Sequence, residues 1–226
     1  MNSISLGTNQ FNFKLNTEII ETKIPNGDFT MGNLAATQEM QEIIPGLFLG
    51  PFSAASKANL GALLKAGITH IVCVRQEVEA SFIHPTFPDK FKYIVINLGD
   101  SLTSNIIPIL PQVKCFIDNC FKLGGKVLVH GNSGISRSAT LVIAYVMETK
   151  VLPYKDAFLL VQNKRNCINP SDVFMQQLKE YEPIYKALRT HLSGHSSKVT
   201  DRIKRRYSEV DGVLPTNNRM DICDDV

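Results

Sequence analysis

The stretch Val127-Leu128-Val129-His130-Gly131-Asn132-Ser133-Gly134-Ile135-Ser136-Arg137-Ser138 decides the fold of this chain. Residues 127–129 form a short apolar run, rich in β-branched side chains, that suits a buried strand. Two glycines and three small polar residues follow, so the loop is tight and its backbone N–H groups can approach a ligand closely. Residues 138–147 carry almost no charge and are apolar on every side, as a helix buried in a core must be. Strand, glycine-bearing loop and helix N-terminus together bind oxyanions, because unpaired N–H groups and the helix dipole converge on one point. Arg137 adds a planar fork that holds two phosphate oxygens at once. The predicted phosphate-binding residues are therefore Gly131, Asn132, Ser133, Gly134, Ile135, Ser136 and Arg137.

Two kinds of phosphate loop compete for this stretch. A nucleotide-binding loop of the form G-x-x-x-x-G-K-[ST] aligns from Gly131. It finds Ser136 where its second glycine belongs and Arg137 where its lysine belongs, and both positions have mechanical roles. The loop of the cysteine-dependent protein phosphatases, H-C-x-x-G-x-x-R-[ST], fits better: His130, Gly134, Arg137 and Ser138 all fall in register. Gly131 stands at the position of its cysteine. Such an enzyme attacks phosphorus with a thiolate whose pKa is lowered from about 8.5 into the ~3.5–7.5 range. Glycine has no side chain and forms no phosphoenzyme. Ser133 and Ser136 lie in the loop, but no adjacent general base in the sequence activates them. The amides, the helix terminus and Arg137 remain, and the negative charge of a thiolate is gone. By charge alone the pocket holds phosphate at least as well as an active one. The motif reads as a binding site without a catalytic residue.

Length and composition bound the alternatives. A chain of 226 residues with 44% hydrophobic content accommodates one domain with a proper core and tails. A formal net charge of +3 is too small to indicate nucleic acid as a partner. The five cysteines, Cys73, Cys115, Cys120, Cys167 and Cys223, show no C-x-x-C pair and no zinc-like spacing to histidine. They read as reduced thiols of a cytoplasmic or nuclear protein, with no metal and no cofactor implied. The start of the chain has no basic segment followed by an apolar one, and no apolar run approaches the ~20 residues of a membrane span.

Residues 1–40 are polar, with scattered apolar positions and no lasting period, and read as a flexible leader. Residues 43–50 read as a strand broken at Pro45-Gly46. Ser56 is expected to cap a helix in which Leu60, Leu63 and Leu64 share a face and which Gly67 stops. Residues 68–74 and 93–98 are β-branched runs apolar on both sides, the pattern of central parallel strands. A helix is predicted over about 109–122, with Val113, Phe116, Ile117 and Cys120 inward and Pro111 in its first turn. Beyond the buried helix, Tyr154, Ala157, Phe158 and Val161 share one helical face. A long helix opening at Asn169-Pro170-Ser171 puts Phe174, Leu178, Tyr181, Tyr185 and Leu188 on another, bent at Pro183. This order predicts an α/β domain over 41–190 with a mostly parallel central sheet flanked by helices. Residues 191–226 read as a disordered polar tail. Its cluster of Arg202, Lys204, Arg205 and Arg206 before Tyr207 and Ser208 suits an import signal, a kinase site or a solvated charge run.

The element order, the loop and the segment Arg165-Asn166-Cys167-Ile168-Asn169-Pro170 together resemble the dual-specificity phosphatase family, and the glycine at 131 resembles its catalytically inactive members, the pseudophosphatases. The resemblance implies a shallow pocket for phosphoserine, phosphothreonine or phosphotyrosine. It implies action by binding: scaffolding, anchoring, or competing with active phosphatases in kinase signalling. Mitogen-activated protein kinases are the first candidate partners, and a monomer is expected, without nucleic acid or membrane. Alternatives are a scaffold that binds through another surface, its pocket vestigial, and a weakly active phosphatase. Asp100 falls where the family places its general acid, here vestigial; otherwise it is a solvated or capping carboxylate. His130 is expected to bond the loop backbone, and Ser138, which in active relatives helps the thiolate leave, to cap the helix start.

Overall fold

The structure, a computed structural model, describes the backbone of residues 38–207 and the side chains of residues 38–190. Strands β1 (Gln41–Ile44) and β2 (Leu47–Pro51) form a hairpin whose turn places Gly46 at φ 83°, a left-handed conformation that glycine adopts without a steric penalty. A short helix, α1 (Leu60–Ala66), ends at Gly67 in the same conformation and leads to β3 (Ile68–Arg75). Then follow β4 (Lys92–Asn97), α2 (Leu110–Lys122), β5 (Lys126–Gly131) and α3 (Arg137–Lys150). The chain continues through α4 (Tyr154–Lys164) into α5 (Asp172–Tyr207). The sheet order is β1-β2-β5-β3-β4; every pair is parallel except β1 with β2. The expected α/β architecture with a mostly parallel sheet is the one observed.

Alternation along β5 divides the core. Val127 and Val129 join the larger hydrophobic cluster with α2, α3, α4 and α5, whereas Leu128 joins Phe48, Leu63 and Ile71 on the opposite face. Every residue from 138 to 147 of α3 is buried, which is why this helix has no polar face. Helix α5 contributes Phe174, Leu178, Tyr181 and Tyr185 to the core and runs through Pro183, which cannot donate a backbone bond to the preceding turn. No helix among the described residues is long and apolar enough to cross a membrane.

Several expectations need correction. Ser56 caps nothing: a 3-10 turn over Lys57–Asn59 intervenes, α1 starts at Leu60, and no side chain bonds its first turn. Of the residues placed on shared helical faces, Leu64 and Leu188 are exposed. β4 is an edge strand, not a central one. Apolar residues on both sides of a strand report that both faces are covered, and say nothing of its free edge. The chain was expected to lose structure near residue 191, but α5 continues to Tyr207. Residues 191–207 contain a single glycine and no proline, so nothing forces the helix to stop. The expected leader meets the fold before residue 41: the Glu39 carbonyl accepts from Arg165 Nη1 at 2.9 Å. Residues 1–37 and the tail from Ser208 onward lie outside the described residues.

Candidate functional site

β5 enters the sheet between β2 and β3, so its C-terminal end opens onto the crevice where α/β proteins bind ligands. The loop from Gly131 to Arg137 begins there and ends at the N-terminus of α3. Five consecutive carbonyls of this loop are turned away from its centre. Asn132 O accepts from Phe52 N at 3.0 Å, Ser133 O from Arg165 Nη2 at 3.0 Å and Gly134 O from Arg165 Nε at 2.9 Å. Ile135 O accepts from Asn169 N at 2.9 Å, and Ser136 O from both Thr140 N and Thr140 Oγ1. No backbone N–H of residues 132–136 donates to an acceptor among the described residues. Carbonyls outward and N–H groups unspent is the arrangement of a backbone anion cradle.

Gly134 is where the loop requires glycine. Its φ is 70°, and a Cβ there would stand 2.4 Å from Gly50 O. Gly131 carries no such constraint: its φ lies outside the left-handed region, and a Cβ would meet Ser138 Oγ at 3.1 Å. Ser138 lies inside α3, only 1% exposed, and its Oγ has no partner among the described residues. It does not cap the helix as expected, since α3 already starts at Arg137 and the cap position belongs to Ser136. Ser136 Oγ instead donates to Asp100 Oδ2 at 2.6 Å and accepts from Ser171 N at 3.3 Å, which ties two neighbouring loops to the cradle. A cavity of about 160 Å³ opens here, lined by Asp100 and residues 131–138. The predicted phosphate-binding residues and Asp100 therefore share one cavity.

Arg137 is held by a residue that the sequence did not single out. Its Nη1 and Nη2 donate to Glu79 Oε2 at 2.5 Å and Oε1 at 2.8 Å, and Nη1 also donates to Leu98 O at 3.3 Å. Glu79 follows the end of β3 and is nearly buried; the Arg137 guanidinium bonded to it holds its carboxyl below the usual range, against the effect of burial. This pairing uses the Nη1–Nη2 edge and leaves Arg137 Nε without an acceptor among the described residues, with Arg137 lining the cavity. Arg165, 2% exposed, is the second residue missed as functional: it supports the loop from below, bonding two loop carbonyls as well as Glu39 O and Gln41 Oε1. The signal for Glu79 was an acidic residue just past a parallel strand, shared with Glu77; for Arg165 it was a basic residue beside an Asn-Pro helix start. His130 behaves as expected: buried, its Nδ1 within 3.4 Å of Gly131 O, its ring 5.8 Å from that of Phe52. Burial pushes its imidazole down to about 4, so it is neutral at physiological pH.

Among known protein families, residues 47–184 match the dual specificity phosphatase catalytic domain. The chain belongs to the dual-specificity phosphatase family. Within this family it is 57% identical over 150 residues to serine/threonine/tyrosine-interacting protein A of Xenopus laevis, which covers 66% of this chain and 67% of the relative. It is 52% identical over 185 residues to the human serine/threonine/tyrosine-interacting protein, covering 77% of this chain and 82% of the relative. The crystal structure of the human tyrosine phosphatase-like serine/threonine/tyrosine-interacting protein superposes with a TM-score of 0.64, over 66% of this chain and 98% of that one, at 57% identity. The family's fold and the chain's order of elements agree.

Proposed function

We propose that this chain is a catalytically inactive phosphatase-like protein that binds phosphorylated Ser, Thr or Tyr residues of partner proteins at residues 131–137. It acts by occupancy, as a scaffold, an anchor or a competitor of active phosphatases in kinase signalling. The observation that carries the reading is the cradle around Gly131: outward carbonyls, unspent amides, and a buried Ser138 hydroxyl facing a position with no side chain. A site with every electrostatic part of phosphoryl recognition and no nucleophile binds without turnover. The names of the relatives, which describe interacting and phosphatase-like proteins, support the same reading. Mitogen-activated protein kinases in the cytoplasm or nucleus are the partners to try first, and the protein acts as a monomer.

A second reading, a scaffold whose pocket is vestigial, draws on one observation: Glu79 occupies one edge of Arg137 and offsets its charge. Calorimetry separates the two. The phosphoprotein-binding reading expects wild type to bind sulfate and phosphopeptides without hydrolysing an aryl phosphate. It expects Arg137→Ala to weaken that binding by at least about tenfold, and Arg137→Lys to restore it only in part. Wild type and Arg137→Ala equally unable to bind any phosphate would leave the vestigial-pocket scaffold in its place.

A further inference from the structure

Arg202, Lys204, Arg205 and Arg206 lie in the last two turns of α5, which ends at Tyr207, and Ser208 follows directly. Arginines at the third and second positions before a serine form the pattern that serine kinases with acidic substrate grooves select, because each guanidinium pairs with a carboxylate of the groove. The last turn of a helix frays readily, so a segment placed there is open to a kinase.

The surroundings of the cradle carry the complementary charge. Glu77 stands two residues before Glu79, which holds Arg137. Asp100 lines the cavity and accepts from Ser136 Oγ, and Asp172 follows Ser171, whose N donates to the same Ser136 Oγ. Glu77, Asp100 and Asp172 are all exposed. The segments that carry them, residues 76–80, 99–105 and 165–173, contain a single cation, Arg165, and it is buried. A phosphoryl group in the cradle is therefore bordered by negative charge, which favours a phosphopeptide with basic flanks over one with neutral or acidic flanks. Helix length decides which copy supplies it. α5 begins beside the cradle, where Asn169 N donates to Ile135 O and Ser171 N to Ser136 Oγ. Its 36 residues, at ~1.5 Å each and with a bend at Pro183, carry the chain about 50 Å away. Ser208, one residue past the helix end, does not reach its own cradle while α5 stands.

We propose that Ser208 is a phosphorylation site and that residues 204–208, once phosphorylated, dock in the cradle of a second copy of this chain. The transfer takes the γ-phosphoryl group of ATP to Ser208 Oγ; the hydroxyl proton leaves and ADP is released. A dianion beside the C-terminal end of α5 faces the negative end of the helix dipole, which loosens the last turn and presents Arg205, Arg206 and the phosphoserine together. In the second copy the phosphoryl group takes the N–H groups of residues 132–136 and Arg137, and the two arginines meet the exposed carboxylates around them. Each copy carries one such segment and one cradle, so two copies serve each other, and the second contact forms at high effective concentration. Phosphorylation thereby turns a monomer into a dimer and closes the cradle to other phosphoproteins. The docking rests on the function proposed above, whereas the kinase site does not.

Three measurements on the full chain test this. Treated with ATP and an arginine-directed serine kinase, wild type should take up phosphate at Ser208, located by mass spectrometry, and Arg205→Ala combined with Arg206→Ala should lose most of it. In sedimentation at equal concentration, the phosphorylated chain should run as a dimer, and the untreated chain and a treated Ser208→Ala chain as monomers. Excess inorganic phosphate, which needs no variant, and Arg137→Ala should each return the dimer to monomer. In calorimetry, a phosphopeptide of residues 202–210 should bind the untreated chain at least about fivefold more tightly than the same phosphopeptide with its four basic residues replaced by alanine, and the gap should close at high salt. No phosphate at Ser208, a phosphorylated chain that stays monomeric, or equal affinity of the two phosphopeptides would each overturn the proposal. Equal binding of both phosphopeptides would leave the phosphoprotein-binding reading standing. A chain phosphorylated at Ser208 that binds neither phosphopeptide would overturn that reading and the docking together.

Discussion

On the function proposed above, Gly131→Cys supplies the one atom that the cradle lacks, and the structure sets what it should do there. The new Cβ meets Ser138 Oγ at 3.1 Å and no backbone atom closer than 3.6 Å, so the Ser138 side chain has to give by a few tenths of an ångström and the backbone does not. Because φ at 131 is not left-handed, the substitution introduces no backbone strain. Lowering a thiol from ~8.5 to about 6 requires roughly 3.4 kcal/mol of preference for the thiolate, at ~1.36 kcal/mol per unit. Ser138 Oγ and a single loop amide, at ~1.5–3 kcal/mol for each charge-assisted bond, supply that amount. At pH 7 the thiolate fraction then rises from about 3% to about 90%. The rate of alkylation by iodoacetamide, followed against pH, reads the thiol pKa directly. Aryl phosphate turnover should appear with it, vanish again with Arg137→Ala, and fall by about 100-fold when Asp100→Asn removes the acid. A folded Gly131→Cys protein that binds phosphate, yet titrates near ~8.5 and turns nothing over, would refute the claim that this is a phosphatase site lacking only its nucleophile.

Three further outcomes follow from named contacts. Arg165→Ala strands the carbonyls of Ser133, Gly134 and Glu39, so it should cost about 3 kcal/mol or more in urea denaturation and weaken phosphate binding alongside; a cost under ~1 kcal/mol would mean that the loop does not depend on this support. His130 titrates near 4 in the fold against ~6.5 when unfolded, so between those values the unfolded chain takes up a proton that the folded one refuses. Stability should therefore fall as pH drops from about 6.5, by up to ~3 kcal/mol near pH 4, and His130→Asn should flatten that slope in denaturant midpoints measured against pH. Truncation after residue 190 should leave the thermal midpoint within about 2 °C of wild type, because among the described side chains Tyr185 is the last buried apolar residue of α5 and Leu188 is already exposed; a larger drop would show that later residues pack on the domain.

What could be read from the sequence was local. Residues 127–138 carry a strand, a glycine loop and an all-apolar helix in unbroken succession, and each signal is strong within a few residues. The residues missed act across distance: Glu79 reaches Arg137 over 58 positions, and Arg165 reaches Ser133 over 32. A single glutamate or arginine in a sequence does not reveal which carbonyl or guanidinium it will meet after folding. The capping roles given to Ser56 and Ser138 failed for a related reason. Whether a serine caps depends on where the first helical dihedrals fall, and α1 and α3 begin at positions shifted from those the side chains suggested. β4 misled because covering a strand's faces and pairing its edges are independent, and only the first leaves a mark on composition.

The five outward carbonyls have a consequence for how such a site ages. Their donors, Phe52, Arg165, Asn169 and Thr140, all sit outside the loop, and none of these bonds is made by position 131. The frame and the reagent are thus inherited separately. A lineage that exchanges the reagent for glycine releases no tension and unfastens no bond of the frame, so the mould keeps its shape after the tool has been withdrawn. Drift at position 131 therefore leaves the five carbonyl bonds in place, while drift at Arg165 or Gly134 does not.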